Sequence, residues 1–130
     1  MSETRVLGVD LCATNIKWVV VGIASDPSDL ESVATGSIAT QGEDGHEAVV
    51  ERLVAEVRTV SGAYGVADRW GLGTPGLFEP ATGVVTIFTN LPGQWRGVPL
   101  RTMLEGALAR PVTLINDARA FTLAEGTVGA

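Results

Sequence analysis

Reactive and cationic side chains are scarce in this sequence. Its 130 residues include one cysteine, Cys12, one histidine, His46, and one lysine, Lys17; the rest of the nine cations are arginines. A single cysteine forbids an intramolecular disulfide and makes a reducing cytoplasm the expected setting. One cysteine and one histidine cannot furnish the ligands of a structural zinc, so no zinc site is expected in this chain. A histidine-dependent triad would have to rest on His46, which stands beside Glu43 and Asp44 at the start of a helical pattern and reads as a solvated residue. Long apolar runs are missing too: none approaches the roughly 18–20 residues of a membrane span. The opening Met1-Ser2-Glu3-Thr4-Arg5 is charged, and the apolar stretch behind it is cut by Asp10, so no secretory signal is expected there. With a net charge of −6 and a pI of about 4.6, the chain has no basic patch, so neither nucleic acid nor an anionic membrane is an expected partner.

What is present suits a folded domain. Hydrophobic residues make up 45 %, charged residues only 18 %, and mean hydropathy is +0.26, which excludes a disordered or low-complexity chain. The length allows one domain with a substantial core.

Two β-rich runs open the chain, Arg5–Asp10 and Ile16–Ile23, joined by the short polar turn Cys12-Ala13-Thr14-Asn15. This predicts a hairpin whose second strand, apolar on both faces, is central. A turn cluster follows at Ser25–Asp29, then a third strand over Ser32–Thr40. Between Glu43 and Ser61 the period changes: Val49, Val50, Leu53, Val54, Val57 and Val60 form one helical stripe, with Gly62 and Gly65 marking its end. Strands are expected at Arg69–Gly73, Gly83–Phe88 and Val112–Ile115, and helices at Pro99–Ala109 and from Ala118 to about Glu125. The order β-β-β-α-β-β-α-β-α describes an α/β layer fold with a mixed sheet and flanking helices. The chain stops in the apolar Gly126–Ala130, so it is expected to be one lobe of something longer.

Four segments carry candidate chemistry. In Asp10–Lys17 an acidic residue ends a strand, and small residues let backbone N–H groups approach an anion. Thr14 adds a hydroxyl there, and Asp10 offers a carboxylate to a cation accompanying phosphates. The alternative is that Asp10 and Thr14 only satisfy turn amides. A Cys12 thiol set among backbone amides would have a lowered pKa. Gly73-Thr74-Pro75-Gly76 reads first as a tight turn and second as a ligand contact at Gly76. In Thr89–Trp95, Asn90 suits a polyhydroxyl ligand and Trp95 an apolar ring face, unless this is a surface turn pinned by a half-buried tryptophan. Asn116-Asp117 stands at the carboxyl end of a strand, where open α/β sheets bind ligands; it is either a helix cap or a proton acceptor for a bound hydroxyl.

Taken in order, Asp10-Leu11-x-x-Thr14-Asn15-Ile16-Lys17, Gly73-Thr74-Pro75-Gly76, Asn90-Leu91-Pro92-Gly93-x-Trp95 and Asn116-Asp117-Ala118 resemble the N-terminal lobe of the ROK family. That family comprises bacterial sugar kinases, glucokinases among them, and sugar-responsive repressors. The resemblance covers essentially residues 1–130 and implies an actin-like, ribonuclease-H-like fold of two lobes, with ATP and sugar in the cleft between them. It implies that Asp10, Cys12, Ala13, Thr14, Asn15 and Lys17 belong to the phosphate-binding hairpin, and that Asp10 meets Mg2+ through the phosphates. It also implies that Gly76, Asn90, Asn116 and Asp117 contact the sugar and that Asp117 is the catalytic base. The implied partners are a hexose, glucose by family default, and ATP; a homodimer is one way to cover the exposed cleft face.

Four positions depart from the family pattern. Cys12 and Ala13 replace two glycines, Gln94 is inserted before Trp95, and Arg119 stands where asparagine is common. If Cys12 or Ala13 had to be left-handed, each would cost roughly 1–2 kcal/mol. This keeps open a second reading, a sugar-sensing or degenerate ROK domain without turnover. A third is an interaction module, since one lobe cannot enclose ATP. The isolated 130 residues are expected to be inactive.

Overall fold

The first two strands, β1 (Thr4–Leu11) and β2 (Asn15–Ile23), pair antiparallel as the hairpin pattern predicts, with Asp10 opposite Lys17. The computed structural model describes residues 4–23, 30–88 and 91–116. Strand β3 (Leu30–Ala39) continues the antiparallel ladder along β2, with a register shift at Val20/Val21. A single 3-10 turn over Gly42–Asp44 then leads to helix α1 (His46–Tyr64). Next come β4 (Trp70–Thr74), β5 (Gly76–Phe78), β6 (Val85–Phe88), helix α2 (Leu100–Leu108) and β7 (Val112–Asn116).

Five strands form one mixed sheet in the order β3-β2-β1-β4-β7, and β5 and β6 form a separate antiparallel pair. Both β4 and β7 run parallel to β1, because a helical crossover precedes each of them. The core lies between this sheet and the helices. Val49, Val50, Leu53, Val54, Val57 and Val60 of α1 are all buried, and they share one cluster with Leu7, Val9 and Leu11 of β1, Leu72 of β4 and Leu114 of β7. Those strand residues alternate, as one face of a pleated sheet must. Leu100 and Leu104 carry α2 into the same cluster. Among the described residues no helix is long and apolar enough to cross a membrane.

Several expectations require correction. The helical pattern at Glu43 overran the true start: Gly45 has φ 97° and ψ 163°, a conformation open essentially to glycine, and it separates the 3-10 turn from α1. Gly62 lies inside α1, and Gly65 (φ 64°) ends it by a left-handed cap. The turn after Thr74 is followed at once by strand β5, which adds an element to the expected order. Gly83 (φ 72°) turns the chain rather than opening a strand, so the β6 ladder starts at Val85. The turn cluster at 25–29 and the helix expected from Ala118 lie outside the described residues.

Candidate functional site

Parallel pairing brings three strand ends to one edge of the sheet. Asp10 of β1 is level with Gly73 of β4, Gly73 is level with Ile115 of β7, and Thr74 is level with Asn116. Neighbouring strands lie about 4.8 Å apart, so Asp10 and the end of β7 are separated by about 10 Å. The carboxyl edge of such a sheet is where α/β folds place ligands. The 12–14 turn, the Thr74–Gly76 corner and Asn116 therefore border one region. Asp117 follows Asn116 directly in sequence; Asp117 and Asn90 lie outside the described residues.

The turn after β1 is held from below. Its Cys12 N–H donates to Asn15 O (3.0 Å). Thr40, fully buried just past β3, donates its hydroxyl to Cys12 O (2.7 Å) and its N–H to Thr14 O (2.9 Å). Among the described residues only Gln41 and Ala109 combine a side chain with positive φ. Cys12 and Ala13 thus bear no left-handed strain, contrary to the cost expected where two glycines are usual. Thr14 and Lys17 are exposed, while Cys12, Ala13 and Asn15 are half-buried.

Asp10 is 6 % exposed, and its Oδ2 accepts from the Cys12 thiol at 3.3 Å. The Cys12 pKa is raised, not lowered as the turn amides suggested. Burial is the main cause; the hydrogen bond to Asp10 and that carboxylate's charge add to it, and Lys17 opposes them. The thiol donates to the acid, and its raised pKa disfavours the thiolate that a nucleophile needs. Among the described residues no cluster of three or more histidine, cysteine, aspartate or glutamate side chains could hold a metal. One buried carboxylate, Asp10, beside this turn nevertheless fits Mg2+ arriving with a nucleotide, since that ion usually takes one or two carboxylates plus phosphates.

The loop entering α2 is built differently from its expected form. Trp95 is 2 % exposed, and its Nε1–H donates to Pro92 O (3.0 Å), closing the loop on itself. Phe88 and His46 stack obliquely on it, with ring centroids at 5.1 and 5.8 Å. Trp95 is thus a core anchor unavailable to a ligand, and His46 is half-buried against it instead of solvated. Leu91 and Pro92 sit directly over Gly42, where an added Cβ would lie 2.8 and 2.9 Å from them. Gly76 is required by the β5–β6 pair: a Cβ there would meet the backbone of Ile87 and Phe88. Its carbonyl accepts from the buried Thr74 hydroxyl at 2.8 Å.

Two residues escaped the sequence reading. Thr40 braces the turn, and Arg52 of α1 donates to Thr40 O while pairing with Asp44 at 3.0 Å. Their partners are 28, 12 and 8 residues away in sequence, beyond any local motif.

Residues 6–130 match the ROK family. The chain belongs to the ROK family. It is 33 % identical over 130 residues to the glucokinase of Thermotoga maritima, covering all of this chain and 39 % of that protein. It is 38 % identical over 118 residues to the N-acetyl-D-glucosamine kinase of Vibrio cholerae serotype O1, covering 91 % of this chain and 36 % of the relative. Among solved structures, the ROK glucokinase of Streptomyces griseus in complex with glucose and AMPPNP superposes with a TM-score of 0.74 at 27 % identity, over 97 % of this chain and 37 % of that one. The ROK chain therefore spans under two-fifths of the length of these relatives. Its sheet and flanking helices are the N-terminal portion of the actin-like, ribonuclease-H-like ROK fold.

Proposed function

We propose that this chain is the N-terminal sugar- and phosphate-binding lobe of an ATP-dependent hexose kinase. The observation that carries the reading is the alignment of Asp10, the 12–14 turn, Thr74 and Asn116 along one sheet edge. A second lobe would close over this edge to complete the cleft. In the proposed reaction Asn90, Asn116 and Gly76 orient a hexose, with glucose the first candidate. Asp117 accepts the proton of one sugar hydroxyl. That oxygen attacks the γ-phosphorus of ATP in line, the bond to the β-phosphate oxygen breaks, and ADP leaves. Ala13, Thr14, Asn15 and Lys17 face the phosphates, and Cys12 shapes their turn. Asp10 would hold Mg2+, which neutralises phosphate charge when bound. A cytoplasmic homodimer belongs to the same reading.

The non-catalytic alternative drew its weight from the left-handed strain expected at Cys12 and Ala13, and neither residue carries a positive φ. The test is direct. The full-length protein, given Mg-ATP and glucose or N-acetylglucosamine, should form one ADP per hexose phosphate. The isolated 130-residue chain should form none. A full-length protein that binds hexose but releases no ADP would instead establish the sensing domain.

A further inference from the structure

Resting on the kinase reading, we infer that Thr40 is a positioning residue for the nucleotide, acting through the backbone of the turn after β1. The Thr40 hydroxyl donates to Cys12 O at 2.7 Å from a fully buried site. No cis peptide bond occurs among the described residues, so the Cys12–Ala13 peptide is trans and its N–H points opposite its C=O. Tying the carbonyl down to Thr40 therefore aims the Ala13 N–H away from the protein core. Among the described residues that N–H has no acceptor, so it is free to meet an anion. The Thr40 N–H fixes Thr14 O from the same side at 2.9 Å, which leaves the turn little freedom to rotate.

Thr40 is itself held. Arg52 donates to its carbonyl and to Asp44, whose own N–H donates to Gln41 O at 3.0 Å. Gln41 carries φ 51°, a left-handed conformation rare for a side-chain-bearing residue, which persists where surroundings fix it. Gly42, two residues after Thr40, also lies under Leu91 and Pro92. One buried hydroxyl thus does the work that backbone freedom at two glycines would otherwise leave to the ligand. It pre-orients an amide so that binding a phosphate need not order it.

The experiment uses the full-length protein and calorimetric titration with AMPPNP plus Mg2+, and separately with glucose. Thr40→Val keeps the shape and removes the donor. It should weaken AMPPNP binding about fivefold, the worth of one net hydrogen bond, and leave glucose affinity within about twofold. Thr40→Ser keeps the donor and should restore AMPPNP affinity to within about twofold of wild type. If Thr40→Val does not fold, Arg52→Gln, altered at a half-buried position, should weaken AMPPNP binding by about two- to threefold. Unchanged AMPPNP affinity in the variant that folds overturns the inference. So does a serine variant as weak as the valine one, or an equal loss of glucose affinity. Wild-type protein that binds AMPPNP without phosphorylating sugar overturns the kinase reading while still testing Thr40; wild type that binds no AMPPNP overturns both.

Discussion

Gly76 offers a sharp test of whether the corner after β4 is built by packing or by ligand contact. Replacing it with alanine adds one methyl group. That Cβ would lie 2.9 Å from Phe88 Cα and closer still to Ile87 O, both backbone atoms of the paired strand β6. Carbon atoms settle at about 3.5–4.0 Å, so clearing Phe88 Cα alone moves β5 away from β6 by roughly 0.6–1 Å, and clearing Ile87 O requires more. Backbone cannot yield as a flexible side chain does, and such overpacking costs typically 1–3 kcal/mol. The displacement also disturbs the acceptor of the buried Thr74 hydroxyl and the strand that leads toward Asn90. Urea unfolding followed by tryptophan fluorescence reads the effect, since Trp95 stacks on Phe88. Gly76→Ala should lower stability by about 1–3 kcal/mol. Leu77→Ala, at a neighbouring side chain 53 % exposed, should stay within about 0.5 kcal/mol. An alanine variant of wild-type stability that binds hexose less well would refute the packing argument and make Gly76 a ligand contact alone.

Three further predictions concern the described residues. Ala109 ends α2 in a left-handed conformation with φ 54°, so Ala109→Gly should stabilise the chain by about 1 kcal/mol, read as a higher urea midpoint. Burial and Asp10 raise the Cys12 pKa, so its thiolate, followed by absorbance near 240 nm, should form only above the ordinary thiol range. The folded pKa lies above the unfolded one. The linked stability is therefore complete below the unfolded value of about 8.5 and is lost as pH rises through the folded one. Asp10→Asn removes a carboxylate that raises this pKa and should speed alkylation of Cys12 at pH 8; unchanged alkylation would contradict the Asp10–Cys12 contact.

Regular periodicity made much of the fold legible. The stripe from Val49 to Val60 and the run from Ile16 to Ile23 each signal a buried face, and both are buried as read. Short elements were not legible: β5 spans three residues, and the threonine, proline and glycine before it resemble any turn. Gly45 broke the helical pattern by its φ, which composition alone does not disclose. At the site, motif order brought Asp10, Thr14 and Asn116 to one edge, because the ends of parallel strands converge. Trp95 was misjudged because its hydrogen-bond partner, Pro92 O, is a backbone atom that no side-chain motif marks. Thr40 and Arg52 were missed for a similar reason: both act on main-chain carbonyls far away in sequence.

The central claim is that the acid following β7 accepts the proton of the attacking hydroxyl. Asp117→Asn in the full-length protein, assayed for ADP release alongside calorimetric hexose binding, tests it most directly. The account predicts a kcat lower by at least about 10²-fold with hexose affinity retained. Turnover near the wild-type rate would contradict it.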